Sequence, residues 1–270
     1  MKRFKKNKLA MFGLMVLSVM ILVAIFAPLF SPYDPQDIVE DETLPPTLKH
    51  LFGTDDIGRD VFSRALYGAR ISLTVGLVAV SIAILIGTLL GSCAGFFGGL
   101  LDGFVMRFVD VMLSFPTIFL ILAIQVMLTP NIYNVMIVIG LTSWMGVARL
   151  VRGEFLTLKE RQFVEAAKAI GASNVRIIFR HILPNAIAPI IVAGTLGMAG
   201  AILTESALSF LGLGVQPPMP SWGNMLMDAQ AYMRDAPWMA VIPGLFILLT
   251  VLSLYFVGEG LRDAFNPKES

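Results

Sequence analysis

Long apolar blocks separated by short polar segments dominate the chain. They run over residues 9–30, 71–97, 104–128, 132–151, 182–213 and 237–257. The first holds 22 residues, which at about 1.5 Å per helical residue is enough to cross a hydrocarbon layer roughly 30 Å thick. Each block predicts one spanning helix, so the expected fold is an all-α polytopic membrane protein with six transmembrane helices. A secretory signal would carry a shorter apolar run, about 7 to 15 residues, and a small-x-small cleavage site. Neither follows the basic start MKRFKKNK, so the first block predicts a retained helix.

Composition agrees with this reading. Of 270 residues, 56% are hydrophobic and 14% charged, and the mean hydropathy is +0.78, too apolar for a soluble domain of this size. The one cysteine, Cys93, excludes an intrachain disulfide and a cysteine-based metal site. The net charge of +1 says less than its distribution. With the N-terminus in the cytoplasm, fifteen Lys and Arg fall inside, among them Arg107, the seven from Arg149 to Arg180, Arg262 and Lys268. Five fall outside: Lys49, Arg59, Arg64, Arg70 and Arg234. The positive-inside rule selects that orientation, with both termini and the basic loop at 152–182 in the cytoplasm.

The chain divides into residues 1–30, the N-terminus and first helix; 31–70, an outer loop; and 71–270, a five-helix core. The outer loop begins rich in Asp, Glu and Pro, and its DDIGRDVFSRALYG segment reads as a short amphipathic helix at the interface. That helix would lead into the second span or meet an extracytoplasmic protein. Gly87, Gly91 and Gly95, and again Ala193, Gly197 and Ala201, recur every four residues and predict faces where helices pack closely or slide. Arg107 and Asp110, three apart, predict an ion pair on one helix face. Glu205 lies deep in the fifth block, where an ionised carboxylate costs several kcal/mol, about 3 on insertion scales. It must either be hydrogen-bonded inside the bundle or face a water-filled path.

The cytoplasmic loop carries the most specific pattern. Glu165, Ala166 and Ala167 are followed by Gly171, where a left-handed turn would end a short helix, by His181, and by Leu183 and Pro184, where the next apolar helix would begin. Phe163, Ala167 and Ile170 at i, i+4 and i+7 form an apolar stripe, and Ser173 is placed to cap the following turn. A short helix with paired alanines lets a soluble partner approach closely.

The run EAAKAIG followed by HILP resembles the EAA loop of bacterial ABC importer membrane subunits. HLFGTDDIGRDVFSR at 50–64 and ESALSFLGLGVQPPMPSWGNML at 205–226 narrow the resemblance to the second permease of the dipeptide, oligopeptide and nickel uptake family, over nearly the whole chain. The resemblance implies the type I ABC importer permease fold, with helix one peripheral, in a bacterial or archaeal cytoplasmic membrane. It implies a heterodimer with a homologous permease, two cytoplasmic ATPases, an extracytoplasmic solute-binding protein and surrounding lipid, and no nucleic acid. Glu165, Ala166, Ala167, Gly171, His181, Leu183 and Pro184 would then be the ATPase-coupling residues. ATP would be bound by the partner subunits, and this chain would need no cofactor or metal of its own.

Other classes fit less well. There is no G-x-S-x-G, H-E-x-x-H, C-x-x-C or G-x-x-x-x-G-K-[ST], and the two histidines, His50 and His181, fall on opposite sides of the membrane. An ion-coupled secondary transporter would need intramembrane ionisable groups and usually repeats, and Glu205 is the one deep carboxylate. The solute, whether dipeptide, longer peptide, nickel chelate, glutathione or oligosaccharide, is not legible.

Overall fold

The structure is a computed structural model that describes residues 2–265. Lys268, counted above among the inner basic residues, lies outside the described residues. In chain order the helices are α1 (Lys2–Lys6), α2 (Lys8–Ile25), α3 (Ala27–Phe30), α4 (Val61–Phe97), α5 (Gly99–Leu113), α6 (Thr117–Met127), α7 (Ile132–Leu158), α8 (Gln162–Ala169), α9 (Asn174–Arg176), α10 (Leu183–Phe210), α11 (Trp222–Asp228) and α12 (Trp238–Phe265). A π-helical turn, Ile177–Ile182, joins α9 to α10, making one continuous helix, Asn174–Phe210.

Among the described residues, five helices are long and apolar enough to cross a membrane: α2, α4, α7, α9–α10 taken together, and α12. The expected third span is instead α5 and α6, bent by 84° at the break between them. Pro116 explains the break. It caps α6 with ψ 119, it has no N–H to continue a helical ladder, and its ring drives Phe115 out of the helical region.

The second expectation that changes concerns residues 61–70. They form no separate short helix but the first turns of the 37-residue α4, at about 1.5 Å per residue some 55 Å long and far longer than the hydrocarbon layer. Asp60 starts α4 by accepting the Ser63 N–H through its side chain.

Helices α4 and α7 pack closely because of the glycine series. A Cβ on Gly87 would lie 2.6 Å from Val147 Cβ, one on Gly95 2.7 Å from Phe155 Cβ, and one on Gly91 would strike the Ala148 backbone. The series at 193, 197 and 201 behaves differently. Ala201 is buried and a Cβ on Gly197 would lie 3.1 Å from Val80 Cγ2 of α4, while Ala193 is only half-buried and α10 also turns Ala186, Ile190 and Gly194 inward. Four-residue spacing marked a closely packed face in the first series and, through Gly197 and Ala201, part of one in the second.

Contacts sort the connections into two ends. At one end Phe4 packs near Gly260 and Ala10, Lys159 reaches the Gly95 carbonyl at 3.2 Å, and α8 and α9 lie. At the other, Trp238 donates to the Thr54 carbonyl at 3.2 Å and Trp222 to the Ala65 carbonyl at 3.1 Å. We call these the basic end and the loop end.

Candidate functional site

At the basic end, α8 is closed by a Schellman arrangement. The Ala172 N–H donates to the Ala167 carbonyl at 3.0 Å and the Gly171 N–H to Lys168 at 2.9 Å, which requires Gly171 at φ +79. Ser173 then caps α9, accepting from the Arg176 N–H at 3.4 Å. The expected turn glycine and cap therefore form as the sequence suggests.

The stripe divides differently. Val164 and Ala167 are buried, Ala167 to 4% exposure, against Val151 and Phe155 of α7 and Ile177, Ile182 and Ala186 of the helix leading into α10. Ala167 thus belongs to the inward face, while Phe163, Ala166 and Ile170 stay outside, Ile170 at 84% exposure. Glu165 is exposed as well. Sequence reading overlooked Val175 and Phe179, two further exposed apolar residues of the same loop. Their signal was two large apolar residues inside a basic loop.

Pro184 stands in the first turn of α10, as expected, but that helix does not start afresh. The helix is already running when it arrives, and the π turn absorbs the missing N–H: Leu183 donates back to Ile178, and the Asn185 side-chain amide donates to the His181 carbonyl at 2.6 Å. His181 and Leu183 are half-buried in this turn and Pro184 is exposed. The loop thus brings its predicted residues to one end, as a helix seated on α7 and on the root of α10.

Glu205 is fully buried, 0% exposed, away from that end. Ser72 of α4 donates to Oε2 at 3.1 Å and Ser209 to Oε1 at 2.7 Å. Each serine also accepts a backbone N–H from the segment after α10: Val215 to Ser209 at 3.0 Å and Trp222 to Ser72 at 3.4 Å. Gly223 permits this folding back, since a Cβ there would lie 2.7 Å from Ser206 Cα. Ser221 and Asn224 close a capping box that starts α11. The Glu205 carboxyl organises a polar knot inside the chain.

The predicted Arg107–Asp110 pair does not form. Asp110 is joined to Arg149 of α7, because the Arg107 side chain leaves α5 on its outward face, in a groove lined by Gly103, Phe104 and Phe108. A second bridge the sequence reading missed, Asp102 to Arg152, ties the start of α5 to α7 with Nη2–Oδ2 at 2.6 Å.

At the loop end the DDIGRD segment builds an ion cluster. Asp55 takes Arg59 Nε at 2.6 Å and Arg64 Nε at 3.2 Å, and Arg64 Nη2 reaches Asp228 of α11 at 3.2 Å. Burial pushes the Asp228 carboxyl up from its ordinary value, while Arg64 pulls it down. His50 is buried beside Asp60, Nδ1 to Oδ1 2.8 Å, and stacks on Tyr33. Three aspartates and two arginines within ten residues were the available signal. Among the described residues no group of His, Cys, Asp and Glu could hold a metal ion.

Long apolar helices flanked by a bent pair, with a short amphipathic helix seated on two of them at a basic end, define a polytopic membrane protein. Residues 83–270 match the family described as binding-protein-dependent transport system inner membrane component, and residues 1–46 match the N-terminal TM domain of oligopeptide transport permease C. The chain belongs to that inner membrane component family and is a permease of a binding-protein-dependent ABC transport system. It is 48% identical over 268 residues to the dipeptide transport system permease protein DppC of Alkalihalophilus pseudofirmus, covering 99% of this chain and 88% of that protein. It is 47% identical over 269 residues to the glutathione transport system permease protein GsiD of Shigella flexneri, covering 99% and 89%. A chain of the MetNI methionine ABC transporter, solved in inward-facing conformations, shares the fold with TM-score 0.59 at 18% identity, covering 74% of this chain and 95% of that one.

Proposed function

We propose that this permease forms one half of the import path for a peptide or similar small amide-bearing solute, and that α8 is its grip on a cytoplasmic ATPase. One observation carries the coupling reading. The inner face of α8 is packed through Val164 and Ala167 into the same cluster as Phe155 of α7 and Ile182 of the α10 root, while Phe163, Ala166 and Ile170 stay uncovered. A force applied to the free face therefore reaches two spanning helices at once. Closure of an ATPase pair would rock the bundle as a body and exchange inward for outward access.

In this reading the basic end is cytoplasmic, as the basic-residue asymmetry supports. A homologous permease supplies the other half of the path, two ATPase subunits bind the nucleotide, and a binding protein delivers solute at the loop end. This chain takes no cofactor of its own. The peptide class rests on likeness to permeases named for a dipeptide and for glutathione, itself a peptide-like amide.

Ala166→Trp tests the coupling. It places bulk on the free face and leaves the packed face of α8 intact, so the protein should insert normally. The transporter should then lose its ATPase subunits on purification, or keep them with hydrolysis no longer stimulated by loaded binding protein. Full stimulation in this variant would refute α8 as the coupling element.

A further inference from the structure

Asp110 and Arg149 form an ion pair with side chains 65% and 54% exposed, although each belongs to a candidate membrane span. Arg149 stands nine residues, about 13 Å, before the basic end of α7, and Asp110 eleven residues, about 16 Å, beyond the start of α5. An arginine stem can carry its charge some way toward the interface, but an aspartate has one methylene and cannot.

The uncovered faces of α2 and α12 are mainly apolar along their spans: Leu14, Met15 and Leu22 on α2, and Val241, Leu248 and Leu252 on α12. The uncovered face of the basic half of α7 is different. It presents Ser143, Gly146, Arg149, Gly153 and Thr157. Charges placed against lipid are expensive, and ionisable groups within spans turn to the protein interior or to water. This pair is not in the interior. Arg149 spends Nη2 on Asp110, and its other N–H donors have no protein partner among the described residues. A dry apolar contact would leave those donors unmet, whereas water satisfies them.

We propose that the seam between α5 and the basic half of α7, marked by Asp110 and Arg149, is a wall of the aqueous path along which the solute moves. This rests on the permease reading above and adds to it which face of the chain the solute meets.

The test uses the whole transporter in vesicles, with Cys93→Ala and a single cysteine added at Gly146. A Cβ there meets nothing within 4 Å, and the same holds at Gly153, so Gly153→Cys serves as a second variant. The probe is a charged, membrane-impermeant methanethiosulfonate. Thiolate is the reactive form and is suppressed in apolar surroundings, so Gly146→Cys should react at least about tenfold faster than Leu248→Cys on the aliphatic face of α12. Reaction only when the other subunits are removed would make the seam a subunit contact and overturn the proposal. No reaction in either state would make it a lipid face, with the same consequence. The readout does not depend on which solute is carried. Failure of the wild-type transporter to import peptide would sink the peptide reading alone, and absent labelling in a transporter that imports peptide would sink the seam alone.

Discussion

Gly171 sits at φ +79, and nothing lies within 4 Å of where its Cβ would be, so a side chain there is opposed by backbone conformation and not by crowding. Gly171→Val should cost at least about 1 kcal/mol and loosen the α8 terminus, because a β-branched residue is a genuine outlier at positive φ. Gly171→Asn should be milder, since asparagine tolerates that region. Solute-stimulated ATP hydrolysis by the whole transporter checks both, and equal activity of the two variants would deny the turn its role. Glu205 is the other decisive residue. Both its oxygens accept from serines whose own oxygens hold backbone N–H groups, so Glu205→Gln sets an amide donor where the site needs an acceptor and should weaken the fold by about 1 kcal/mol. Glu205→Leu should do more, leaving two buried hydroxyls without their acceptor. Thermal unfolding in detergent measures the order, and a Gln variant as damaged as the Leu variant would contradict it. The turn glycine and the need for a partner at Glu205 were legible from residue type alone. That the partners are Ser72 and Ser209 was not, because serines are common and only the folding back of residues 211–221 brings the carboxylate and the loop together.

Among the elements, α4 and α10 give the sharpest contrast. Gly91→Leu would push a side chain into the Ala148 backbone, and overpacking of this kind typically costs about 1 to 3 kcal/mol. At Gly200 in α10 a Cβ would meet nothing within 4 Å, so Gly200→Ala should be neutral or stabilising by up to about 1 kcal/mol, through the smaller entropy of its unfolded chain. Yield of folded protein after membrane extraction should fall for the first and hold for the second. Spanning helices were legible because hydropathy over about twenty residues is a strong signal. Their interruptions were weaker signals: Pro116 breaks the third block although its flanks are apolar, and Pro184, in the first turn of α10, does not interrupt the span because a π turn absorbs it. For α8 the stripe was read correctly as apolar, but Phe163 and Ala167 lie on either side of a boundary that tertiary packing alone draws.

For the molecule as a whole, the connections fall at two opposite ends, and basic residues favour the end that carries α8. Which end faces the cytoplasm is therefore testable by cysteine accessibility in intact cells. Over a Cys93→Ala background, Glu40→Cys and Gln230→Cys should react with an impermeant thiol reagent from outside, and Lys168→Cys should not. The reverse pattern would invert the proposed orientation. Family and fold were legible because the loop motifs are local in sequence. The ion pairs were not, because Arg149 and Arg152 stand far along the chain from Asp110 and Asp102 and a three-residue spacing suggested the wrong partner for Asp110. The central claim is that α8 offers the face holding Ala166 to an ATPase, and proximity tests it most directly. A benzophenone carried on Ala166→Cys in the assembled transporter should, on illumination, yield an adduct with an ATPase subunit, and the same group on Gln230→Cys should yield none. An adduct from position 230 and not from 166, or from neither in a transporter that hydrolyses ATP on demand, would contradict the account.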